Sequence, residues 1–213
     1  EKVGQVDKAI EAYKASITRH NDNTLAYTNL GTIYHKQGLY DMAIEAYKQA
    51  LTNNPYFPLS HNNLGNTYER IGDSEKALAE YREALKIDDT YADAHNNLGA
   101  VYLKKGIQEK ALVEFQKAAQ LNPDHRDAHY NLGIAYAGKG LYVEAIHELN
   151  LAIKYNPTDY SAYRDLGILY FTYKKDIKKS LYYLHESLRL THDPVETEKV
   201  KEMIDVIKKG HVF

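Results

Sequence analysis

The feature that most constrains the fold is a Leu-Gly dipeptide that recurs along the chain at one fixed spacing. Its glycines lie 34 residues apart, at Gly31, Gly65, Gly99, Gly133 and Gly167. Each glycine is followed three residues later by a tyrosine, at Tyr34, Tyr68, Tyr102, Tyr136 and Tyr170. A constant period of this length is typical of proteins that stack one small supersecondary unit many times. The spacing therefore predicts a solenoid.

Within one period, the pattern predicts two helices separated by a tight turn. In the third period a first amphipathic helix is expected over 91–104 and a second over 108–121. The inward-facing residues of the two helices are Ala94, Leu98, Val101, Tyr102, Ala111, Leu112, Phe115 and Ala118. Gly106 ends the first helix, because glycine accepts the left-handed backbone conformation. Pro123 ends the second helix, because proline disfavours helix at the preceding residue and cannot continue the hydrogen-bond ladder.

The small residues of the pattern have a packing explanation. Gly99 and Ala111 are expected where the two antiparallel helices of one period approach most closely, since a larger side chain would push the helix axes beyond about 8–10 Å. Ala118 is expected to be small for the same reason, at the junction with the next period.

This pattern, Leu-Gly-x-x-Tyr followed by alanine, an aromatic residue, a second alanine and proline, resembles the tetratricopeptide repeat. The resemblance covers essentially the whole chain and implies an all-α, right-handed superhelix of antiparallel helix pairs. Residues 1–23 are then the second helix of an incomplete repeat, and 194–213 are a capping helix and tail. The five full units are 24–57, 58–91, 92–125, 126–159 and 160–193. The last unit departs from the pattern, because Lys174 stands where glycine is expected and one residue is inserted.

The start of the capping helix is marked by its own residue pattern. Asp193 is an N-cap residue, Pro194 suits the first helical turn, and Glu196 lies three residues after the cap. A single apolar stripe follows over 194–209, and charged residues cover the rest of the helix. Terminal repeats need such a polar outer face to stay in solution.

Composition bounds the class of protein. The 213 residues are 44% hydrophobic and 26% charged, which is ordinary globular usage. A net charge of -2 gives no overall attraction to nucleic acid, and no apolar run is long enough to span a membrane. Residue 1 falls inside a repeat, so we expect the chain to lack its true N-terminus. The compartment is left open, with the cytoplasm as the favoured expectation.

Candidate catalytic and metal sites receive little support from the sequence. Cysteine is absent, and no nucleophile or phosphate-loop motif is present. His61, His95 and His129 form a column, one per repeat, but residues on helices about 10 Å apart cannot converge on one zinc ion. These histidines are expected to be helix-packing residues. We therefore expect binding without catalysis, and no cofactor.

The face of each first helix that the core does not use is the candidate binding surface. In tetratricopeptide proteins this face lines a concave groove, so the resemblance implies that an extended peptide or a partner helix binds there. The candidate groove residues are Asn29, Asn62, Asn63, Asn66, Asn96, Asn97, Tyr130, Asn131, Ile134, Arg164, Ile168 and Phe171. Asparagine recurs in register, and its amide can hold a peptide backbone without reading side chains. The row resembles that of the tetratricopeptide arm of O-linked N-acetylglucosamine transferases and of prokaryotic tetratricopeptide proteins.

Several alternatives remain open at this level. The asparagines could instead bond neighbouring repeats, and the C-terminal helix could cover the apolar end of the groove near Phe171. Lys174, Lys175, Lys178 and Lys179 form a basic cluster that is either a solvated turn or a docking patch for an acidic partner or lipid headgroup.

The function of the whole chain also has alternatives. It could be the substrate-recruiting or regulatory arm of a larger enzyme, such as a glycosyltransferase, or a self-assembling scaffold. The apolar stripe within 1–23 lacks its partner helix, so we expect a homodimer through this half repeat.

Overall fold

The structure is a computed structural model that describes the backbone of residues 2–210 and the side chains of residues 5–210. This part of the chain consists of helices joined by short turns and contains no strand, which confirms the all-α class expected from the repeat. The helices are α1 (Lys2–Arg19), α2 (Thr24–Lys36), α3 (Tyr40–Asn53), α4 (Pro58–Arg70), α5 (Ser74–Ile87), α6 (Ala92–Lys104), α7 (Gln108–Leu121), α8 (Arg126–Gly138), α9 (Tyr142–Tyr155), α10 (Tyr160–Thr172), α11 (Ile177–Leu190) and α12 (Pro194–Lys208). None of these helices is both long and apolar enough to cross a membrane.

The chain divides into two compact units, 1–105 and 106–213. In the N-terminal unit, α2 packs on α3 and α4 packs on α5, and each second helix also packs on the first helix of the next pair. The C-terminal unit repeats this arrangement with α8 on α9 and α10 on α11, and α12 packs on α11. Each unit is therefore built on stacked helical hairpins, in which the helices from α2 onward bury apolar residues against neighbouring helices of the same unit.

Glycine sets the close approach within the hairpins α2–α3 and α4–α5. A Cβ atom at Gly65 would lie 2.6 Å from Cε1 of Tyr81, and one at Gly31 would lie 2.7 Å from Cε1 of Tyr47. The rings of Tyr47 and Tyr81 are almost wholly buried. In these two hairpins the tyrosine ring of the second helix thus occupies the space that a side chain on the first helix would need.

The turns inside the hairpins depend on one residue with positive φ. Gly38, Gly72, Gly106 and Gly140 have φ between 74° and 85°, as expected from the sequence for Gly106. In the hairpin of α10 and α11, Lys175 adopts this conformation, with φ 54°. The turn between α10 and α11 is also one residue longer than the turn between α2 and α3, in agreement with the insertion expected from the sequence.

The C-terminal helix begins as its sequence predicts, with one difference. The Asp193 carboxylate accepts a hydrogen bond from the backbone N–H of Val195 at 2.8 Å and caps α12. Glu196 does not complete a capping box. Its carboxylate instead accepts hydrogen bonds from Arg164 and Lys199, both at 2.8 Å. The Glu196 carboxylate in the first turn of α12 therefore joins this helix to α10 through Arg164.

Candidate functional site

In the N-terminal unit, the first helices α2, α4 and α6 lie side by side, with α4 in contact with both others. Asn29, Asn63 and Asn97 occupy the same position on successive helices, and all three side chains are partly exposed. The structure thus places these three amides on one face of one compact unit.

Two of the three amides also bond the neighbouring repeat. The amide nitrogen of Asn63 donates to the hydroxyl of Thr32 at 3.3 Å, and that of Asn97 donates to Oδ1 of Asn62 at 3.0 Å. No hydrogen bond joins the Asn29 side chain to another residue within 5–210. An amide has two donor hydrogens and a carbonyl oxygen with two lone pairs. Each of these two hydrogen bonds therefore uses one N–H of the Asn63 or Asn97 amide, out of two donor hydrogens and one acceptor oxygen.

The other asparagines of this face have different surroundings. Asn62 is 3% exposed and Asn96 is 7% exposed, so both lie inside the repeat rather than on its open surface. Asn66 is partly exposed, and its Oδ1 accepts a hydrogen bond from the Tyr81 hydroxyl at 2.7 Å. Asn62 and Asn96 therefore fill polar positions within the stack, and Asn66 bonds the second helix of its own hairpin.

Sequence reasoning missed a set of hydroxyl groups that join neighbouring first helices. The hydroxyls of Thr28 and Ser60 are 2.6 Å apart and both residues are buried. Nδ1 of His35 and the hydroxyl of Thr67 are 2.9 Å apart. Both pairs are 32 residues apart in sequence, and this spacing is the signal that could have revealed them.

In the C-terminal unit, Asn131 keeps the amide position on α8, whereas on α10 Asp165 takes that position and belongs to a charged network. The Tyr130 hydroxyl donates to Oδ2 of Asp165 at 3.0 Å, and Nε of Arg164 donates to Oδ1 of the same carboxylate at 2.9 Å. Nη1 of Arg164 then donates to Glu196 on α12 at 2.8 Å. The network links α8, α10 and α12. The side chains of the predicted groove residues Tyr130 and Arg164 are therefore hydrogen-bonded to other residues of the protein.

Burial and charge act together on the pKa values of this network. Burial raises the pKa of Asp165, against the opposing effect of the hydrogen bond from Arg164. Burial and the neighbouring Asp165 carboxylate raise the pKa of the Tyr130 hydroxyl. Burial lowers the pKa of Arg164, but the hydrogen bonds to Asp165 and Glu196 have the larger effect, so the pKa of Arg164 is raised. Arg164 therefore stays charged and holds the first turn of α12 against α10.

The remaining predicted groove residues of the C-terminal unit are partly buried. Phe171 packs against a core cluster that includes Leu184 and residues of α12, so the C-terminal helix covers this end of the face. Asn131, Ile134 and Ile168 lie on α8 and α10 at the positions that the repeat assigns to the same face.

Two members of the histidine column, His61 and His129, each pair with a carboxylate of their own repeat. Nδ1 of His61 lies 2.7 Å from Oε2 of Glu80, and Nδ1 of His129 lies 2.6 Å from Oε2 of Glu148. The Nε2 atoms of these two rings face the carbonyl oxygens of Pro55 and Pro123 at 3.1 Å and 2.8 Å. Both nitrogens of each ring thus face acceptors, which favours the doubly protonated imidazolium. Over residues 5–210, no group of three or more His, Cys, Asp or Glu side chains is arranged to hold a metal ion.

These pairs predict a pH-dependent contribution to stability. The pKa of His129 is raised chiefly by its hydrogen bond to Glu148. Burial lowers the pKa of His61, but the bonds to Glu80 and Pro55 outweigh it, so its pKa is also raised. A raised pKa in the folded state stabilises the fold below the unfolded pKa of about 6.5, and that contribution is lost as pH rises through the folded pKa.

When the pH is raised from slightly acidic to slightly alkaline, the free energy of unfolding is expected to fall in the native chain. We expect a smaller fall in the double variant His61→Tyr/His129→Tyr. Tyrosine suits the position, since Tyr27 and Tyr163 occupy it in other repeats. Urea denaturation at both pH values measures the effect. The difference between the two proteins is the relevant quantity, because burial lowers the pKa of His35 and so acts in the opposite direction. Parallel pH dependence in both proteins would contradict the prediction.

Comparison with known proteins bears on the family and on the fold. A family model described as TPR repeat matches residues 2–38, 70–106 and 104–140. Models described as Tetratricopeptide repeat match residues 24–57, 46–79 and 126–159. The matches together run from residue 2 to residue 159, which is well over half of the chain. No curated protein sequence matches the chain significantly.

Three solved structures resemble the fold over most of the chain. YrrB, described as a TPR protein with an unusual peptide-binding site, superposes with a TM-score of 0.66 at 22% identity and covers 91% of this chain and 99% of its own. MamA superposes with a TM-score of 0.64 at 28% identity, over 82% of this chain and 97% of its own. PilF of Pseudomonas aeruginosa superposes with a TM-score of 0.78 at 19% identity, over 96% of this chain and 86% of its own.

The sequence matches, the structural likenesses and the paired helices agree on one kind of protein. They support a helical scaffold for protein–protein interaction. With its repeat matched by family models over most of its length, the chain belongs to the tetratricopeptide repeat family.

Proposed function

We propose that this protein is a non-catalytic recognition module, and that the first helices of its N-terminal unit bind an extended peptide. The observation that carries the proposal is the row of Asn29, Asn63 and Asn97 on one partly exposed face. Each side chain can accept from a peptide N–H and donate to a peptide carbonyl oxygen. Because every residue of a peptide except proline offers one such donor and one such acceptor, a row of amides suits the backbone of many sequences.

The polar side chains of the two units differ in how far they are already hydrogen-bonded, and this difference favours the N-terminal unit as the peptide site. On α10 of the C-terminal unit, Asp165 stands at the position that Asn131 holds on α8, and its carboxylate is bonded to Arg164 and Tyr130. Groups that are already paired must break those bonds before they can bind a ligand, whereas partly used amides need not. A binding role for the C-terminal face rests on Ile134 and Ile168, which offer apolar contact.

The protein YrrB, whose fold resembles this one, is described as having a peptide-binding site. That description supports a peptide as the ligand class, while the position of the site on this chain is our proposal. The alternative of a recruiting arm within a larger enzyme uses the same binding face, and the full reading frame distinguishes the two.

A peptide ligand for the test is obtained by selection from a displayed library of random peptides of about a dozen residues. Asn29→Ala is expected to weaken binding of the selected peptide about fivefold, the equivalent of one lost hydrogen bond. Its melting temperature is expected to stay unchanged, since Asn29 has no hydrogen bond to the rest of the described chain. Asn150→Ala is the control for peptide affinity, because Asn150 is exposed on the second helix α9, in the other unit. Isothermal titration calorimetry measures both affinities.

The peptide provides an independent test of backbone recognition. Methylation of single backbone nitrogens in the selected peptide removes N–H donors and leaves its side chains intact. We expect at least one such methylation to weaken binding about fivefold or more. If every methylated peptide binds at full strength, and Asn29→Ala and Asn150→Ala have equal effects, the amide row is not the binding site.

A homodimer through the N-terminal half repeat remains a separate proposal. A cleft of about 660 Å³ lies beside α1 and is lined by Val6, Ala9 and Ile33 together with polar residues. An apolar cleft on this flank supports contact with another helix, which a second copy of the chain would supply.

A further inference from the structure

The turn between α10 and α11 carries a positive patch that the proposed peptide site does not use. Lys174, Lys175, Lys178 and Lys179 are all exposed. Within residues 5–210, none of the four forms an ion pair with a carboxylate. Asp176 is the single acidic residue between them, and its carboxylate caps α11 by accepting from the backbone N–H of Lys179 at 2.9 Å. The turn therefore presents a local excess of positive charge on a chain whose net charge is -2.

Exposed aromatic and aliphatic side chains lie among these lysines. Tyr173 is 41% exposed and Ile177 is 50% exposed. The ring of Tyr173 contacts that of Tyr142 on α9, with centroids 5.0 Å apart, and Nζ of Lys174 lies 4.7 Å from the centre of the Tyr173 ring. Val143, beside Tyr142, is 56% exposed. Apolar and aromatic groups thus stand at the same edge of the C-terminal unit as the lysine charges.

The end of α12 adds to this edge. α11 and α12 are joined by the three residues 191–193 and pack against each other, so they run in opposite directions. The C-terminal end of α12 therefore lies at the end where α11 begins. Lys208 and Lys209 are exposed there and extend the positive charge of the turn.

The backbone of this turn holds a lysine in a conformation that usually suits glycine. The other hairpin turns use glycine at the residue with positive φ, whereas this one uses Lys175 at φ 54°. A residue with a side chain is disfavoured in this conformation, and such outliers concentrate at functional sites.

We propose that this edge of the C-terminal unit docks on the surface of a membrane that contains anionic lipid. The occupant follows from the chemistry and the position of the patch. Lysines are attracted to anionic headgroups, and tyrosine rings and short aliphatic side chains favour the boundary between headgroups and acyl chains. The residues protrude from helix ends and turns, which suits a flat lipid interface. We define the docking edge as Tyr142, Val143, Tyr173–Lys179, Lys208 and Lys209.

The direct test is sedimentation of the protein with lipid vesicles. We expect binding to vesicles of phosphatidylcholine with about one third phosphatidylserine, no binding to phosphatidylcholine alone, and weaker binding as salt is raised. Replacing Lys174, Lys175, Lys178 and Lys179 with glutamine is expected to lower the partition coefficient at least about tenfold, since each lysine near such a surface contributes about a fivefold increase. The matched control replaces four other exposed lysines, Lys8, Lys14, Lys48 and Lys117, with glutamine and is expected to change binding little.

Two single variants separate charge, apolar contact and fold. Lys175→Gly is expected to raise the melting temperature, because glycine relieves the positive φ, and to weaken vesicle binding about fivefold. Ile177→Ser is expected to weaken vesicle binding about threefold or more, because its apolar surface no longer enters the lipid interface. A melting temperature and vesicle affinity that fall together in either variant would attribute the loss to unfolding and count against the proposal.

Other outcomes would overturn the inference. Binding that falls equally in the four-lysine variant and in its control would show a general charge effect without a docking edge. The native chain could also fail to bind anionic vesicles and bind a polyglutamate peptide through the same lysines. That result would identify an acidic protein as the partner instead. Neither outcome affects the proposed peptide site, which lies in the other unit.

Discussion

Replacing Leu184 with alanine is expected to lower the free energy of unfolding by about 2–5 kcal/mol, the range for deleting a fully buried leucine. Leu184 is 0% exposed and forms a core cluster with Val200, Ile204 and Ile207. Its Cγ also lies where a side chain on Gly167 would stand, 2.7 Å from an ideal Cβ. The substitution therefore opens a cavity between α10, α11 and α12 that the backbone cannot readily close.

Urea denaturation followed by circular dichroism measures the loss, and hydrogen exchange locates it. Exchange over Pro194–Lys208 is expected to accelerate more than exchange in the N-terminal unit, because a repeat array couples mainly neighbouring helices. Leu121→Ala is the control, since Leu121 is 41% exposed at the end of α7. Equal losses in the two variants would show that Leu184 is not a core residue of the C-terminal unit.

The second large effect is expected from Gly65→Ala, which should lower the free energy of unfolding by about 1–3 kcal/mol, as for other additions to a packed core. The added Cβ would lie 2.6 Å from Cε1 of Tyr81. This ring cannot simply swing away, because it is 2% exposed and its hydroxyl is bonded to Asn66. Helix propensity alone would predict the opposite sign, since alanine favours a helix over glycine by about 0.5–1 kcal/mol.

Gly138→Ala provides a control with the same chemical change. Gly138 is also helical, but a Cβ there would meet only Nε2 of Gln108, at an ordinary 3.6 Å. We expect this variant to be more stable than the native chain by about 0.5–1 kcal/mol. Thermal denaturation of both variants gives the comparison. Two changes of the same sign would mean that the close packing of Tyr81 on Gly65 does not decide the outcome.

Sequence reasoning succeeded where one local rule acts alone. The exact recurrence of Leu-Gly-x-x-Tyr predicted the helical pairs, because a helix of this length must bury its apolar stripe against a neighbour. Gly106 was predicted to adopt a left-handed conformation for a similarly local reason, namely that it lacks a Cβ.

Side-chain partners across the repeats were less predictable. Asn62 and Asn63 are adjacent in the sequence and equally polar, yet Asn62 is buried and Asn63 is partly exposed. Consecutive residues of a helix point about 100° apart, so the rotation of the helix about its axis decides which amide meets solvent. The apolar stripe indicates that rotation coarsely, and the packing of α2, α4 and α6 decides how deeply each polar neighbour of the stripe is buried.

The sequence by itself determined the family, the all-α class and the face of each repeat that carries polar residues, since periodicity directly reports which stripe is buried. Only the tertiary structure decided which of those polar groups remain available. Arg164, expected in a groove, bonds Asp165 and Glu196, and Phe171 packs beneath the last helix. The physical reason is that Glu196 is 32 residues from Arg164, and the meeting of two such distant groups depends on how the intervening helices stack.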